Sequence, residues 1–435
     1  MELPEIENEQ LERARKAIID GKNVYLFGKA GTGKSTLIRN VVEELKQLNQ
    51  KVVVLAPTGV AAINAGGQTI HSFFGFTPRP MPFSRKGNKM REILADVDVI
   101  IIDEISMVRC DLLDSVYDTI RRYSPSTKPW GGKQFIAVGD PLQLPPVVRG
   151  EDETLLKTKY CGYSYFFFDS FAYKNDMSKE VICLDIVYRQ NDENFKKILN
   201  DIRDNEVSDE DLIALSERNV MTHPDLKAKL DRLGTYISLC PKNDQADRLN
   251  QLFLDKLTTQ EKTYYAYIEG DFKPSDTIIP EKLTIKIGAR VMICANDKDG
   301  QYYNGSLGTV ESFSSDVVTV KLDDGYSVDV TKITVTSNKY EINTNTGGLE
   351  QVEVGSFTQI PLKLGYAITV HKGQGLTFCN MLIVLKDIFA PSQLYVAMSR
   401  VRSLDGLYLS SDVSRSMVFN DERIVNYLKR IGIGS

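Results

Sequence analysis

Histidine is nearly missing from this chain: three of 435 residues, at His71, His223 and His371. Cysteine is sparse as well, with six residues at positions 110, 161, 183, 240, 294 and 379 and no C-x-x-C pair. These two scarcities argue against a His/Cys zinc site and a disulfide framework, and they suit a reducing cytosol. No apolar run reaches the roughly 20 residues that a membrane helix needs. The opening Met1-Glu2-Leu3-Pro4-Glu5 has neither the apolar stretch of a secretory signal nor the arginines of a transit peptide. The expectation is a cytoplasmic protein with no membrane partner. A basic excess is also lacking, since 53 Lys and Arg stand against 58 Asp and Glu, a net charge of −5. Net charge averages over the whole surface, so a site for a polyanion has to be local.

The strongest positive signal is the stretch from Val24 to Thr36. An apolar run ends at Gly28, the spacing G-x-x-x-x-G-K-S follows from Gly28 to Ser35, and an apolar-periodic run begins at Leu37 and Ile38. That order predicts a strand, a phosphate-cradling loop and a helix. Glycines let backbone N–H groups turn toward phosphate oxygens, and the start of a helix favours the same anion. Lys34 is placed to reach the β- and γ-phosphates and Ser35 to put its hydroxyl on Mg²⁺. Gly28, Ala30, Gly31, Thr32, Gly33, Lys34, Ser35 and Thr36 form the expected nucleoside triphosphate loop.

Further apolar runs end in polar groups, as the strand ends of an open α/β sheet do at a ligand site. Val97 to Ile102 ends in Asp103-Glu104. Beside a phosphate loop one carboxylate can organise Mg²⁺ and its neighbour can polarise water, and these roles fall to Asp103 and Glu104. Gln134 to Gly139 leads to Gln143, a candidate γ-phosphate sensor. Lys51 to Ala56 runs into Thr58-Gly59 at a helix start, a setting that suits a phosphodiester. Gly66 to Phe74 mixes hydroxyl, imidazole and aromatic groups, with His71 and Phe73 as candidate nucleic-acid contacts; its aromatics can equally pack inward. Tyr236 to Cys240 ends in Lys242 and Asn243, and Thr369 leads to His371 and Lys372. Gln10, before the first helix, is either an adenine reader or a solvated residue. Arg189 and Arg400 are either γ-phosphate fingers or, respectively, a surface cation and a helix-end cation. The stretch Phe76–Arg91 carries Arg79, Arg85, Lys86, Lys89 and Arg91 with no acidic residue, and Pro78, Pro80 and Pro82 deny it regular structure. It reads as a nucleic-acid contact or strand-separating element, or else as a solvated surface loop. From Gly288 to about Glu353 alternating runs flank Asp324-Gly325, the signature of a hairpin in a small antiparallel barrel.

Taken in order, these stretches resemble the motifs of superfamily 1B helicases, the RecD-like branch, and within it the Pif-one (petite integration frequency) family. Gly28–Ser35 is similar to motif I, Pro57–Ala62 to motif Ia, Asp103-Glu104 to motif II and Gly139–Gln143 to motif III. Tyr188-Arg189-Gln190 is similar to motif IV, Thr369–Gly375 to motif V and Ala397–Arg400 to motif VI. The resemblance implies an α/β fold of two RecA-like P-loop NTPase domains. The first would span 1–185, with a wedge insertion at about 74–91. The second would span 186–287 and 354–435, with an SH3-like insertion at 288–353. It further implies ATP and Mg²⁺ as cofactors, Gln10 as adenine reader, Gln374 as a nucleotide contact, and Arg189 and Arg400 as fingers. Thr58, Gly59, His71, Phe73, Lys242, Asn243, His371 and Lys372 would grip single-stranded DNA. The implied activity is 5′→3′ translocation and unwinding of forked or 5′-tailed duplex and of G-quadruplex DNA, by a nucleoid-associated monomer or a DNA-induced dimer. The competing expectation is a nucleic-acid-stimulated ATPase that remodels complexes without separating strands.

Overall fold

The structure is a computed structural model that describes residues 8–433, apart from 78–79, 85, 125, 147, 149, 161–164, 191, 298, 344–347 and 389. Pro78, Arg79 and Arg85 of the basic stretch, and Cys161, lie outside the described residues. The chain divides into two units. The first is Met1–Tyr188 together with Ser337–Val354 and Asn426–Ile433; the second is built from Arg189–Thr336 and Gly355–Val425.

The first unit is organised on a six-stranded sheet. Its strands are β1 (Val24–Gly28), β2 (Val52–Ala56), β3 (Gln68–Thr69), β4 (Val99–Ile102), β5 (Gln134–Gly139) and β6 (Glu180–Leu184), in the spatial order β3-β2-β4-β5-β1-β6. Every pairing is parallel. Parallel strands are covered on both faces, which is why β1, β2 and β4 read as unbroken apolar runs and are buried at every position. On one face, α1 (Glu9–Ile19) and α2 (Lys34–Gln47) place Ala14, Ile18, Ile38 and Val41 over Val24, Leu26, Val54 and Ile136. Arg15 of α1 clamps Glu44 of α2 through two guanidinium nitrogens, at 2.9 and 2.7 Å.

An aromatic cluster includes Tyr25, Phe27, Phe167 and Tyr173, and Tyr427 joins it. The Tyr427 ring lies parallel to Phe168 with 4.1 Å between centroids, and its hydroxyl pairs with that of Tyr173 at 2.7 Å. Residues 426–433 therefore belong to the first unit, whereas the resemblance implies a second domain that runs to 435. Ser337–Val354 likewise belongs to the first unit. Tyr340 sets its ring 5.8 Å from Phe73, accepts the Val54 N–H on its hydroxyl and donates its own N–H to Gln68 Oε1.

The second unit holds a four-stranded parallel sheet in the order Ala367–Thr369, β7 (Ile237–Cys240), Met381–Ile383, Leu407–Leu409. It also holds an antiparallel sheet in the order Ser327–Thr331, Val317–Leu322, Leu307–Phe313, Arg290–Ile293, Leu362–Leu364. The Asp324-Gly325 turn forms as expected, with Gly325 at φ +96° and the Leu322 N–H donating to the Tyr326 carbonyl. The expected SH3-like insertion spans 288–353, and the hydrophobic core of this region reaches beyond it on both sides. Its core takes Tyr264, Leu283 and Ile285 from a two-stranded sheet that starts at Glu261, and Leu362 from the far side. Buried Arg290 fastens Asp323 at 2.8 and 2.6 Å and donates from Nε to the Tyr236 carbonyl just before β7.

Trp130 is fully buried, stacked on Phe135 of β5 at 3.6 Å, with its indole N–H donating to Asp176 at 2.8 Å. Trp130→Ala should lower the stability of the protein by about 3–5 kcal/mol. Urea unfolding followed by circular dichroism measures this, and a loss under about 1 kcal/mol would show that the stack is not part of the cooperative core.

Candidate functional site

The phosphate loop leaves β1 at Gly28 and enters α2 at Lys34. Gly31 and Gly33 sit at φ +83° and +86°, a left-handed backbone that favours glycine, and Gly33 caps α2 with no side-chain bond of its own. A Cβ at Gly28 would meet Thr32 Oγ1 at 2.6 Å and Leu184 at 3.0 Å, so the loop closes around a position with no room for a side chain. Thr32 is buried and donates its hydroxyl to the Lys29 carbonyl at 2.9 Å. Lys34 donates to the carbonyls of Gly28 and Lys29 at 2.7 and 2.9 Å, which holds its charge inside the curl of the loop.

Asp103 and Glu104 leave β4, and β4 reaches β1 through β5 in the sheet. Burial pushes the Asp103 carboxyl above its ordinary range, opposed by the Glu104 N–H (2.9 Å to Oδ1) and by the charge of Lys34. Ser35 on the first turn of α2 and the Asp103 carboxylate would together make a donor set of one hydroxyl and one carboxylate. That set fits Mg²⁺, which characteristically binds one or two carboxylates together with substrate phosphates; among the described residues no cluster of three His, Cys, Asp or Glu offers an all-protein cage. Glu104 stands at φ +52°, ψ +46°, a strained conformation for a residue with a side chain, and it caps the turn Ile105–Met107. That turn is packed against Gly139 at the end of β5, where a Cβ would meet Ile105 Cγ2 at 3.0 Å. One step further, the turn Asp140–Gln143 is closed by the Gln143 N–H on the Asp140 carbonyl at 2.9 Å. Gln143 is buried, with its amide 3.5 Å from the Asp140 carboxylate.

Two segments flank the loop in the first unit. Asn8 caps α1 through Oδ1, which accepts the Gln10 and Leu11 N–H groups, and its amide donates to the Tyr188 hydroxyl at 2.7 Å. Tyr188 donates its N–H to the Gly31 carbonyl at 2.9 Å. The Gln10 amide is held from both ends by Asp185, accepting from its N–H (2.9 Å) and donating to its carboxylate (3.3 Å). Sequence reasoning gives Asn8 and Asp185 no role and names Tyr188 only as part of the motif IV stretch; Asn8, two residues before Gln10 and at a helix start, carries a readable capping signal.

In the second unit the two arginines converge on Ser399. Arg189 donates to its carbonyl at 3.3 Å, Gln190 to the same carbonyl at 3.1 Å, and Arg400 to its hydroxyl at 2.7 Å. Arg400 is 1% exposed and also donates to the Val396 carbonyl, so here it is a buried cation rather than an open finger.

The strand-end residues fall into two sets. In the first unit Ala56 pairs with Thr69, so Thr58-Gly59 and His71 leave neighbouring parallel strands. Thr58 caps the helix Gly59–Asn64 and Thr69 caps Ile70–Phe74. Burial, then the charge of Arg109, lowers the His71 pKa. Phe73 is a correction: it is fully buried, edge-on to Phe74 and to Tyr340, and is core rather than contact surface. In the second unit Cys240 pairs with Thr369, so Lys242-Asn243 and His371-Lys372 also leave neighbouring parallel strands. His371 and Lys372 are exposed, Gln374 follows with its N–H on the His371 carbonyl, and Lys242 pairs with Asp387 at 3.5 Å.

A model of the PIF1-like helicase family matches residues 6–212. The ATP-dependent DNA helicase Pif1 of Bdellovibrio bacteriovorus is 33% identical over 422 residues, covering 94% of this chain and 89% of the relative. The chain belongs to the Pif1 helicase family. It is an ATP-dependent DNA helicase with the P-loop α/β fold of that family. The crystal structure of Bacteroides sp Pif1 in complex with ADP-AlF4 has a TM-score of 0.87 at 33% identity and covers 99% of each chain. Bacteroides Pif1 bound to ssDNA has a TM-score of 0.66 at 34% identity, covering 98% of this chain and 97% of that one.

The left-handed Glu104 of this Pif1-family site yields a test. Glu104→Gly should raise thermal stability, by up to about 1 kcal/mol, because a non-glycine residue in that conformation costs about 1–2 kcal/mol and glycine costs some chain entropy in return. Scanning calorimetry reads the gain, and a midpoint below that of the parent protein would show that the Glu104 side chain contributes more to stability than its left-handed backbone costs.

Proposed function

We propose that this helicase moves 5′→3′ along single-stranded DNA and unwinds tailed duplexes and G-quadruplexes, driven by ATP hydrolysis at the Gly28–Ser35 loop. Lys34 and the loop N–H groups bind the phosphates, and Gln10, held by Asp185, reads the adenine edge. Ser35 and Asp103 would hold Mg²⁺, which when bound neutralises charge on the phosphates. Glu104 orients water for attack. Gln143, on the turn that follows Gly139, senses the state of the γ-phosphate. Arg189 and Arg400 stabilise charge on it, and because both rest on Ser399, Arg400 has to leave its buried bonds to do so. Gln374 supports the nucleotide from the second unit. Thr58, Gly59, His71, Lys242, Asn243, His371 and Lys372 grip the strand, chiefly through phosphates and sugars.

The observation that carries this reading is the repetition of one arrangement. Each unit presents its candidate DNA groups from the carboxyl ends of two adjacent parallel strands, at the pairs Ala56–Thr69 and Cys240–Thr369. Two grips on separate units, with one unit carrying the phosphate loop, are what a stepping motor needs. The ADP-AlF4 and ssDNA complexes of Bacteroides Pif1 support the ligand pair, and the polarity and the quadruplex substrate rest on the family resemblance.

Lys34→Ala should abolish ATP hydrolysis and leave single-strand affinity within about threefold of the parent. Displacement of a labelled strand should occur from a 5′-tailed duplex and not from a 3′-tailed one. Hydrolysis by Lys34→Ala at the parental rate would overturn the site assignment, and faster displacement from the 3′ tail would overturn the polarity.

A further inference from the structure

Within the second unit a cavity of about 410 Å³ is bounded by the helix Asn243–Asp255, the strand Lys282–Lys286 and the segment from Lys363 to Lys372. Its size falls in the range of about 300–1,000 Å³ typical of small-ligand sites. Lys282, Lys363 and Lys372 line it, and Asp247 is its one acidic residue. None of the three lysines forms an ion pair or side-chain hydrogen bond with any described residue. The cavity reaches Asn243 and Lys372, two of the strand-end residues assigned above to DNA.

Lys363 is the informative member. It sits in the middle of the strand Leu362–Leu364, opposite Met292. Leu362 packs into the core of the antiparallel region, the alternation of a strand sends its neighbour Lys363 to the opposite face, and Lys363 and Leu364 both line the cavity. Burial, together with the charge of Lys372, holds the Lys363 ammonium below its ordinary pKa, with Cys294 opposing. A cation kept partly out of water with no carboxylate beside it is costly unless an anion arrives. Asp247 lies on the helix across the cavity and forms no ion pair with it.

We propose that Lys363 is a further DNA-contacting residue, holding a backbone phosphate of the single strand at this cavity beside Lys372. The proposal rests on the assignment of Asn243 and Lys372 to the DNA path and extends that path from the parallel sheet to the antiparallel region. The strand then gains a phosphate contact in a pocket that screens it from solvent, where a charge pair is stronger than on the open surface.

The full-length protein is titrated with a labelled dT oligonucleotide at several salt concentrations. Lys363→Met should weaken binding about three- to tenfold at 150 mM salt and reduce the log–log salt slope by about 0.7, the value for one single-strand phosphate. Lys363→Arg should restore both. An oligonucleotide series with one neutral methylphosphonate linkage at each position in turn gives a readout that a merely structural lysine would not move. The parent should lose affinity at the linkage that Lys363 holds, and Lys363→Met should be indifferent to that linkage. If Lys363→Met keeps the parental affinity, slope and linkage profile while Lys372→Ala weakens binding, the proposal falls and the strand-end assignment stands. If Lys372→Ala and Asn243→Ala also bind as the parent does, the strand-end assignment falls and takes the proposal with it.

Discussion

Where a buried parallel strand ends, its last carbonyls and the next residue's N–H have lost their ladder partners and must find others, or a ligand must supply them. In this protein the most demanding instance is the end of β1. Lys34 folds back onto the Gly28 and Lys29 carbonyls, Thr32 closes on Lys29, and Gly28 itself has no space for a Cβ. The rest of the site depends on this curl. β5 and β6 pair with β1 in fixed register, so the Gly139 turn and the segment leading to Tyr188 are delivered beside the loop by sheet geometry. Parallel pairing does the same for the candidate DNA groups, because it makes neighbouring strands end side by side.

The residues proposed to orient water and to sense the γ-phosphate are joined by short, stiff contacts in the first unit. Glu104 is held in a left-handed conformation by the turn it caps, that turn abuts Gly139 where a methyl group would not fit, and Gly139 opens the turn that carries Gln143. A displacement at Glu104 has little slack to absorb it before it reaches Gln143, since close-packed interiors transmit small shifts rather than damp them. The second unit has an equivalent economy: one residue, Ser399, supports Arg189 and Gln190 through its carbonyl and Arg400 through its hydroxyl.

The parts of this arrangement that were legible in sequence are local ones. Gly28–Ser35 and Asp103-Glu104 each announce a strand end within a dozen residues, and the Asp324-Gly325 hairpin is set by adjacent residues. What was not legible depends on partners far along the chain. Phe73 on a five-residue helix carries no sign of which side it faces, and its burial against Tyr340 comes from a segment more than 250 residues away. Tyr427 joins the first unit through ring stacking that no spacing encodes, and Gln10 is oriented by Asp185, 175 residues downstream. The hairpin signal lies at the centre of the antiparallel region and carries no sign of where its core ends. Tyr264, Leu283 and Leu362, which complete its core, sit in stretches whose own alternation is weak.

The burial of Trp130 against Phe135 has a consequence for how the molecule can be watched. It is the one tryptophan in the chain, so all indole emission comes from a single point in the first unit, one strand from the phosphate loop. Tyrosines are spread over both units, whereas selective excitation of the indole reports on the first alone. The protein thus carries its own optical label on the half that holds the nucleotide loop, and the second unit stays dark at that wavelength.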